Sequence, residues 1–135
     1  MRVLVSVDME GIAGIVDSED VSPGTSEYER NRKLITAEAS AAVRGVFAYE
    51  ADAEVLVSEA HAGFRNLLPD QLDRRAELLR GKPKPDGMLS GLSEGMDAAI
   101  FIGLSRQGRN GPLGPRAYHP RNRRGRRALR WPLTW

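Results

Sequence analysis

With 135 residues and a mass of 14.9 kDa, the chain has room for one domain, or for one domain and an arm. Its 41% hydrophobic content excludes a wholly disordered polymer. The absence of cysteine excludes a disulfide framework, a thiolate nucleophile and a cysteine zinc site. The net charge of +2 averages two unlike parts. Residues 1–103 hold 11 Lys and Arg against 18 acids, a balance of −7, while residues 104–135 hold nine Arg and no acid, a balance of +9. That asymmetry divides the chain into an acidic domain and a basic arm.

In chain order, Arg2–Val7 is a β-branched run that reads as a buried strand. Residues 9–24 are rich in glycine and acids and read as a loop. Ser26 and Glu29 have the spacing of a capping box, with Ser26 as N-cap. Behind them Tyr28, Arg32, Ile35, Ala39, Ala42, Val43, Val46 and Phe47 keep i, i+3/i+4 spacing, which predicts an amphipathic helix of about 20 residues. Residues 53–58 read as a second buried strand, 61–68 as a loop or short helical turn, and 72–79 as ambiguous. Residues 88–94 have the length of a short helix, and 98–103 read as a third buried strand. Continuous apolar strands separated by crossovers argue an α/β fold: a parallel sheet with a three-strand core and flanking helices. From Leu104 onward Gly, Pro and Arg dominate and no hydrophobic period survives, so residues 104–135 read as an unstructured basic tail.

In an open parallel sheet, ligands bind beyond the carboxyl ends of the strands. Asp8 and Glu10 follow the first strand, Glu59 and His61 follow the second, and Gly103 follows the third. Two residues apart in extended backbone, Asp8 and Glu10 point the same way. Two carboxylates and an imidazole suit a divalent ion of borderline hardness such as Zn²⁺. The plainer alternative is that both acids cap the loop and His61 lies on the surface. Glu59 has the position to accept the His61 ring N–H and fix its tautomer; as a single Glu it could equally be solvated. The glycines at 11 and 14 precede the helix by too far for a dinucleotide-binding turn.

The string Ser6-Val7-Asp8-Met9-Glu10-Gly11-Ile12-Ala13-Gly14 closely resembles the opening of the DppA-type D-aminopeptidases, a family of zinc metallopeptidases. So do Tyr28-Glu29-Arg30, the Thr36 and Glu38-Ala39 stretch, Glu54-Val55-Leu56-Val57, Asn66-Leu67, Gly91-Leu92 and Ala99-Ile100-Phe101-Ile102-Gly103. The family's usual Asp-Ser-His reads Glu59-Ala60-His61 here. The resemblance spans residues 1–103 and implies the N-terminal α/β domain of a larger fold. It implies that Asp8 bridges two zinc ions and that Glu10 and His61 are further ligands. It also implies hydrolysis of N-terminal D-residues from short peptides, water being activated by metal, in a homo-oligomeric ring.

Beyond Gly103 the family continues Tyr-His-Ala-Arg-Ala-Gly-Thr and then a second His. The first His is a zinc ligand and the second is catalytic. This chain has Leu104-Ser105-Arg106-Gln107-Gly108-Arg109-Asn110 instead, and its one later histidine, His119, is out of register. Among the synonymous codons open to these seven residues is the string TTA TCA CGC CAG GGC CGG AAC. Read one base later, it gives the family's continuation, and GGC CCA CGC for Gly114-Pro115-Arg116 then gives Ala-His. Residues 104–135 are therefore expected to be a frameshifted product. The chain is expected to be truncated and impaired, with no catalytic residue in this frame and one weakly held zinc ion or none.

Two other readings compete. Nine arginines with Tyr118, Trp131 and Trp135 could make a nucleic-acid-binding module, although the tail's lack of a fold signal weighs against that partner. Asp8 and Glu10 could hold Mg²⁺ in a phosphatase-like site, where His61 would be an uncommon ligand. No apolar run reaches bilayer length, and Asp8 and Glu10 interrupt any signal-peptide pattern. A cytoplasmic location without a membrane partner is expected.

Overall fold

The computed structural model describes residues 1–104. The basic tail from residue 105, with Tyr118, His119, Trp131 and Trp135, lies outside the described residues, and so do the expectations placed on it. Four strands, β1 (Arg2–Val7), β2 (Glu54–Glu59), β3 (Glu77–Leu79) and β4 (Ala98–Ile102), form one parallel sheet in the order β3-β2-β1-β4. The expected parallel three-strand core is present, and β3 adds a fourth strand from the ambiguous 72–79 segment. At three residues β3 is too short to show a period in the sequence. The order reverses direction at β1, which places a crevice beyond the carboxyl ends of β1 and β4.

A single long helix, α1 (Ser26–Tyr49), covers one face of the sheet. Val3, Val5, Val7, Val55 and Val57 pack there with Ile35, Ala39, Val43 and Val46 in one apolar core. Its 24 residues outrun the expected 20, and its cap is Thr25 rather than Ser26: the Tyr28 amide donates to Thr25 Oγ1 at 3.0 Å. Thr25 holds the extended backbone that an N-cap requires. Its hydroxyl also donates to the Glu19 and Ser22 carbonyls, tying the helix start to the preceding loop.

The opposite face is closed by residues 84–92 rather than by a helix. Only a 3-10 turn, Gly87–Leu89, forms where a short helix was expected. The strand serines fasten this strap: Ser6 Oγ donates to the Met88 carbonyl at 2.7 Å, and Ser58 Oγ to the Ser90 carbonyl at 2.8 Å. A Cβ on Gly91 would lie 2.6 Å from Leu56 Cδ2, so glycine allows the strap to sit against the sheet.

The third predicted strand is not buried as expected. Among the described residues β4 pairs only with β1, and Phe101 is 40% exposed. Apolar grooves flank it on both faces. One of about 590 Å³ is lined by Met88, Leu89, Phe101 and Leu104; the other, of about 470 Å³, by Val3, Val46, Tyr49 and Ile100. No helix among the described residues is long and apolar enough to cross a membrane.

Gly45 lies on the exposed side of α1, about one turn before its end, with no atom within 4 Å of where a Cβ would stand. The Gly45→Ala chain is expected to gain about 0.5–1 kcal/mol from helix propensity and a more restricted unfolded state, read as a shifted denaturation midpoint with unchanged slope.

Candidate metal centre

The segment after β1 leaves the sheet as a tight turn. The Ile12 amide donates to the Met9 carbonyl at 3.1 Å, and the Met9 side chain is fully buried in the core. Asp8 and Glu10 therefore face the same crevice through a turn, not through the extended backbone expected from their spacing. The turn is fastened to the end of β4. The Asp8 amide donates to the Ile102 carbonyl at 2.9 Å, and the Gly11 amide to the Gly103 carbonyl at 2.8 Å. These contacts leave no room for a side chain at Gly103, whose φ is +72° and whose Cβ would lie 1.9 Å from the Asp8 carbonyl oxygen.

His61 enters the same crevice from the loop after β2. One ligand atom from each of Asp8, Glu10 and His61 lies within 4.8 Å of the others. His61 Nδ1 lies 3.1 Å from Glu10 and 3.4 Å from Asp8 Oδ1. His61 Nε2 lies 3.1 Å from the Val21 carbonyl. A carbonyl only accepts, so Nε2 carries the proton that it donates to Val21, and the Nδ1 lone pair is left for a metal. Val21 ends a 3-10 helix, Ser18–Val21, inside the segment read as plain loop. Its N-cap Asp17 accepts from the Glu19 amide at 2.9 Å. A backbone carbonyl carries no sequence signature, so this orienting contact could not be read beforehand.

The electrostatics agree with a cation site. Burial pushes the Asp8 carboxyl above its usual range, and neighbouring Glu10 adds to the effect. The hydrogen bond to His61 outweighs burial at Glu10 and holds it at about 2. Burial alone would lower the His61 pKa, but the hydrogen bonds to Asp8 and Glu10 prevail and raise it to about 10. A proton thus takes the place that a divalent ion fits, between two carboxylates and an imidazole nitrogen. The donor set of one nitrogen and two carboxylates suits zinc.

A pH dependence follows for the ion-free chain. His61 is raised from 6.5 to about 10, so its contribution to stability is fully present below pH 6.5 and is lost as pH rises through 10. Glu10 is lowered from 4.5 to about 2, so its contribution is present above pH 4.5 and is lost as pH falls through 2. Melting temperatures of the chelator-treated chain should peak between those limits, and His61→Ala should flatten the alkaline limb.

Glu59 departs from its expected role. Its carboxylate makes no contact with the His61 ring, and it is fully buried rather than solvated. It accepts from the Asn66 amide and from Asn66 Nδ2 at 3.2 Å, and from the Leu67 amide at 3.3 Å. Arg80 Nε lies 3.5 Å away.

A family model described as D-aminopeptidase matches residues 1–114. This chain belongs to the D-aminopeptidase family. The curated D-aminopeptidase of Bacillus subtilis (strain 168) is 38% identical over 103 residues, which are 76% of this chain and 37% of that protein. The solved structure of the Zn-dependent D-aminopeptidase DppA from Bacillus subtilis, described as a self-compartmentalizing protease, aligns with a TM-score of 0.74 at 38% identity. It covers 77% of this chain and 38% of that one. The chain therefore spans a little over a third of the length of the D-aminopeptidase relatives it matches. The likeness to DppA confirms the expected α/β fold and the expected family.

Proposed function

We propose that residues 1–103 form the zinc-binding part of a D-aminopeptidase, and that residues 104–135 are translated out of frame. The observation that carries this reading is the convergence of Asp8, Glu10 and His61 with the His61 Nε2 proton committed to Val21. The Zn-dependence of the solved relative supports the choice of metal. A zinc ion there would polarise a peptide carbonyl and activate water for its hydrolysis. This chain's residues do the holding. Asp8 and Glu10 supply charge, His61 supplies a neutral nitrogen once its proton is displaced, and Gly103 allows the Asp8 turn to close on β4.

The complete enzyme would release N-terminal D-residues from short peptides and assemble as a homo-oligomeric ring, in keeping with the self-compartmentalizing relative. Three donors hold one ion weakly, so this chain hydrolyses such peptides slowly or not at all. The apolar grooves beside β4 support the truncated reading, because they offer surface for further structure to cover. The deciding experiment reads the genomic DNA across the codons for Ile102 to Arg116, then expresses the chain in both frames. The restored frame should cleave a short peptide bearing an N-terminal D-residue and leave its L-isomer; the present frame should show little or no cleavage. An unbroken reading frame, with D-peptide hydrolysis by the present chain, would overturn the proposal.

A further inference from the structure

The loop that presents His61 is held in a conformation its own residues do not favour. Ala62 and Phe64 take positive φ values of 46° and 56°, which cost non-glycine residues about 1 kcal/mol or more each. Such a conformation persists only where the surroundings over-determine it. Asn66 is where those constraints meet. It is 3% exposed, and its side chain is bonded at both ends. Asn66 Nδ2 donates to the His61 carbonyl at 2.8 Å and to the Glu59 carboxylate at 3.2 Å. Asn66 Oδ1 accepts from the Tyr28 hydroxyl at 3.0 Å. Its backbone amide also donates to Glu59, and its carbonyl accepts from Arg32 Nε at 2.8 Å. The Glu59 carbonyl in turn accepts from the buried Lys84 ammonium.

We infer that Asn66, seated on Glu59 and steered by Tyr28, is a positioning residue for the metal centre, fixing the His61 backbone so that Nδ1 meets Asp8 and Glu10. The clasp closes the loop at both ends. Glu59 precedes His61 by two residues, and Asn66 follows it by five. Asn66 touches no ligand atom, so it acts only through the main chain of His61. This inference rests on the metal-binding reading above and assigns its second layer. Removing an outer partner of a ligating histidine costs about 10–100-fold in metal affinity.

The test uses the full chain. Zinc affinity is measured by competition with a chromophoric chelator, and the visible spectrum of the Co²⁺-loaded chain reports ligand geometry. Far-UV circular dichroism of the ion-free chain reports folding. Asn66→Ala should stay folded, lose about 10–100-fold in zinc affinity and shift the Co²⁺ bands. Tyr28→Phe, which removes only the hydroxyl that steers Asn66, should lose about two- to tenfold, the worth of one neutral hydrogen bond. If Asn66→Ala does not fold, Tyr28→Phe decides. Unchanged affinity and spectrum in a folded variant would overturn the inference while leaving the metal centre standing. Failure of the unaltered chain to bind zinc would overturn the metal-binding reading, and the inference with it.

Discussion

Gly103→Ala is expected to destroy the centre while replacing a single hydrogen with a methyl group. The added Cβ would stand 1.9 Å from the Asp8 carbonyl oxygen and 2.7 Å from its carbonyl carbon. Backbone cannot rotate away as a side-chain tip can. The residue would also have to hold a φ of +72°, a conformation that costs an L-residue about 1–2 kcal/mol. Overpacking adds about 1–3 kcal/mol, so a total loss near 2–5 kcal/mol is expected. Relief requires the Asp8 turn to leave β4, which breaks the Gly11-to-Gly103 hydrogen bond and carries Asp8 away from His61. Zinc affinity should fall at least about 100-fold, and urea denaturation should show the loss of stability. Gly63→Ala is the control: nothing lies within 4 Å of its Cβ position, so the zinc affinity should be retained.

His61→Ala should have the other large effect. It removes the only nitrogen donor among the described members of the cluster and leaves Asp8 and Glu10 facing each other. Zinc affinity should drop at least about 100-fold, close to 3 kcal/mol. In the ion-free chain the loss is smaller, about 1–2 kcal/mol for the hydrogen bonds to the two carboxylates and Val21. Zinc and magnesium titrations of the same variant separate two chemistries. Zinc loss with an unchanged, weak response to Mg²⁺ is the expected result. Zinc binding that survives would move the centre away from His61.

Much of this was legible in the residues. β1, β2, β4 and α1 stood out because each carries a run or stripe of apolar side chains long enough to show its period. Asp8, Glu10 and His61 were legible because parallel strands bring their carboxyl ends together, and these residues follow two such ends. The rest was hidden for physical reasons. Asn31, Thr36 and Ser40 are buried polar positions on α1 that break its apolar stripe. They are buried because they hold other segments: the Leu68 amide donates to Thr36 Oγ1, and the Asp73 amide to Ser40 Oγ. The partners of Thr36 and Ser40 lie more than 30 residues away, and Asn31 Nδ2 donates to the Asp20 carbonyl in the segment before the helix; no local pattern announces them. Glu59 was read as a partner of the imidazole because the two are close in sequence. The strand carries its carboxylate inward instead, where the Asn66 and Leu67 amides, with Arg80 close by, hold it. The exposed face of β4 has a similar origin. Its apolar sequence signals burial, and the described residues cover little of it.

X-ray absorption at the zinc edge, on the full chain at one zinc per chain, tests the centre most directly. The chain has only two histidines, His61 and His119, and no cysteine, so the ligand shell is easily assigned. The expected spectrum shows one imidazole and otherwise oxygen donors at about 2.0–2.2 Å, with the imidazole signal lost in His61→Ala and kept in His119→Ala. No bound zinc, or an imidazole signal that survives in His61→Ala and vanishes in His119→Ala, would contradict a centre built from Asp8, Glu10 and His61.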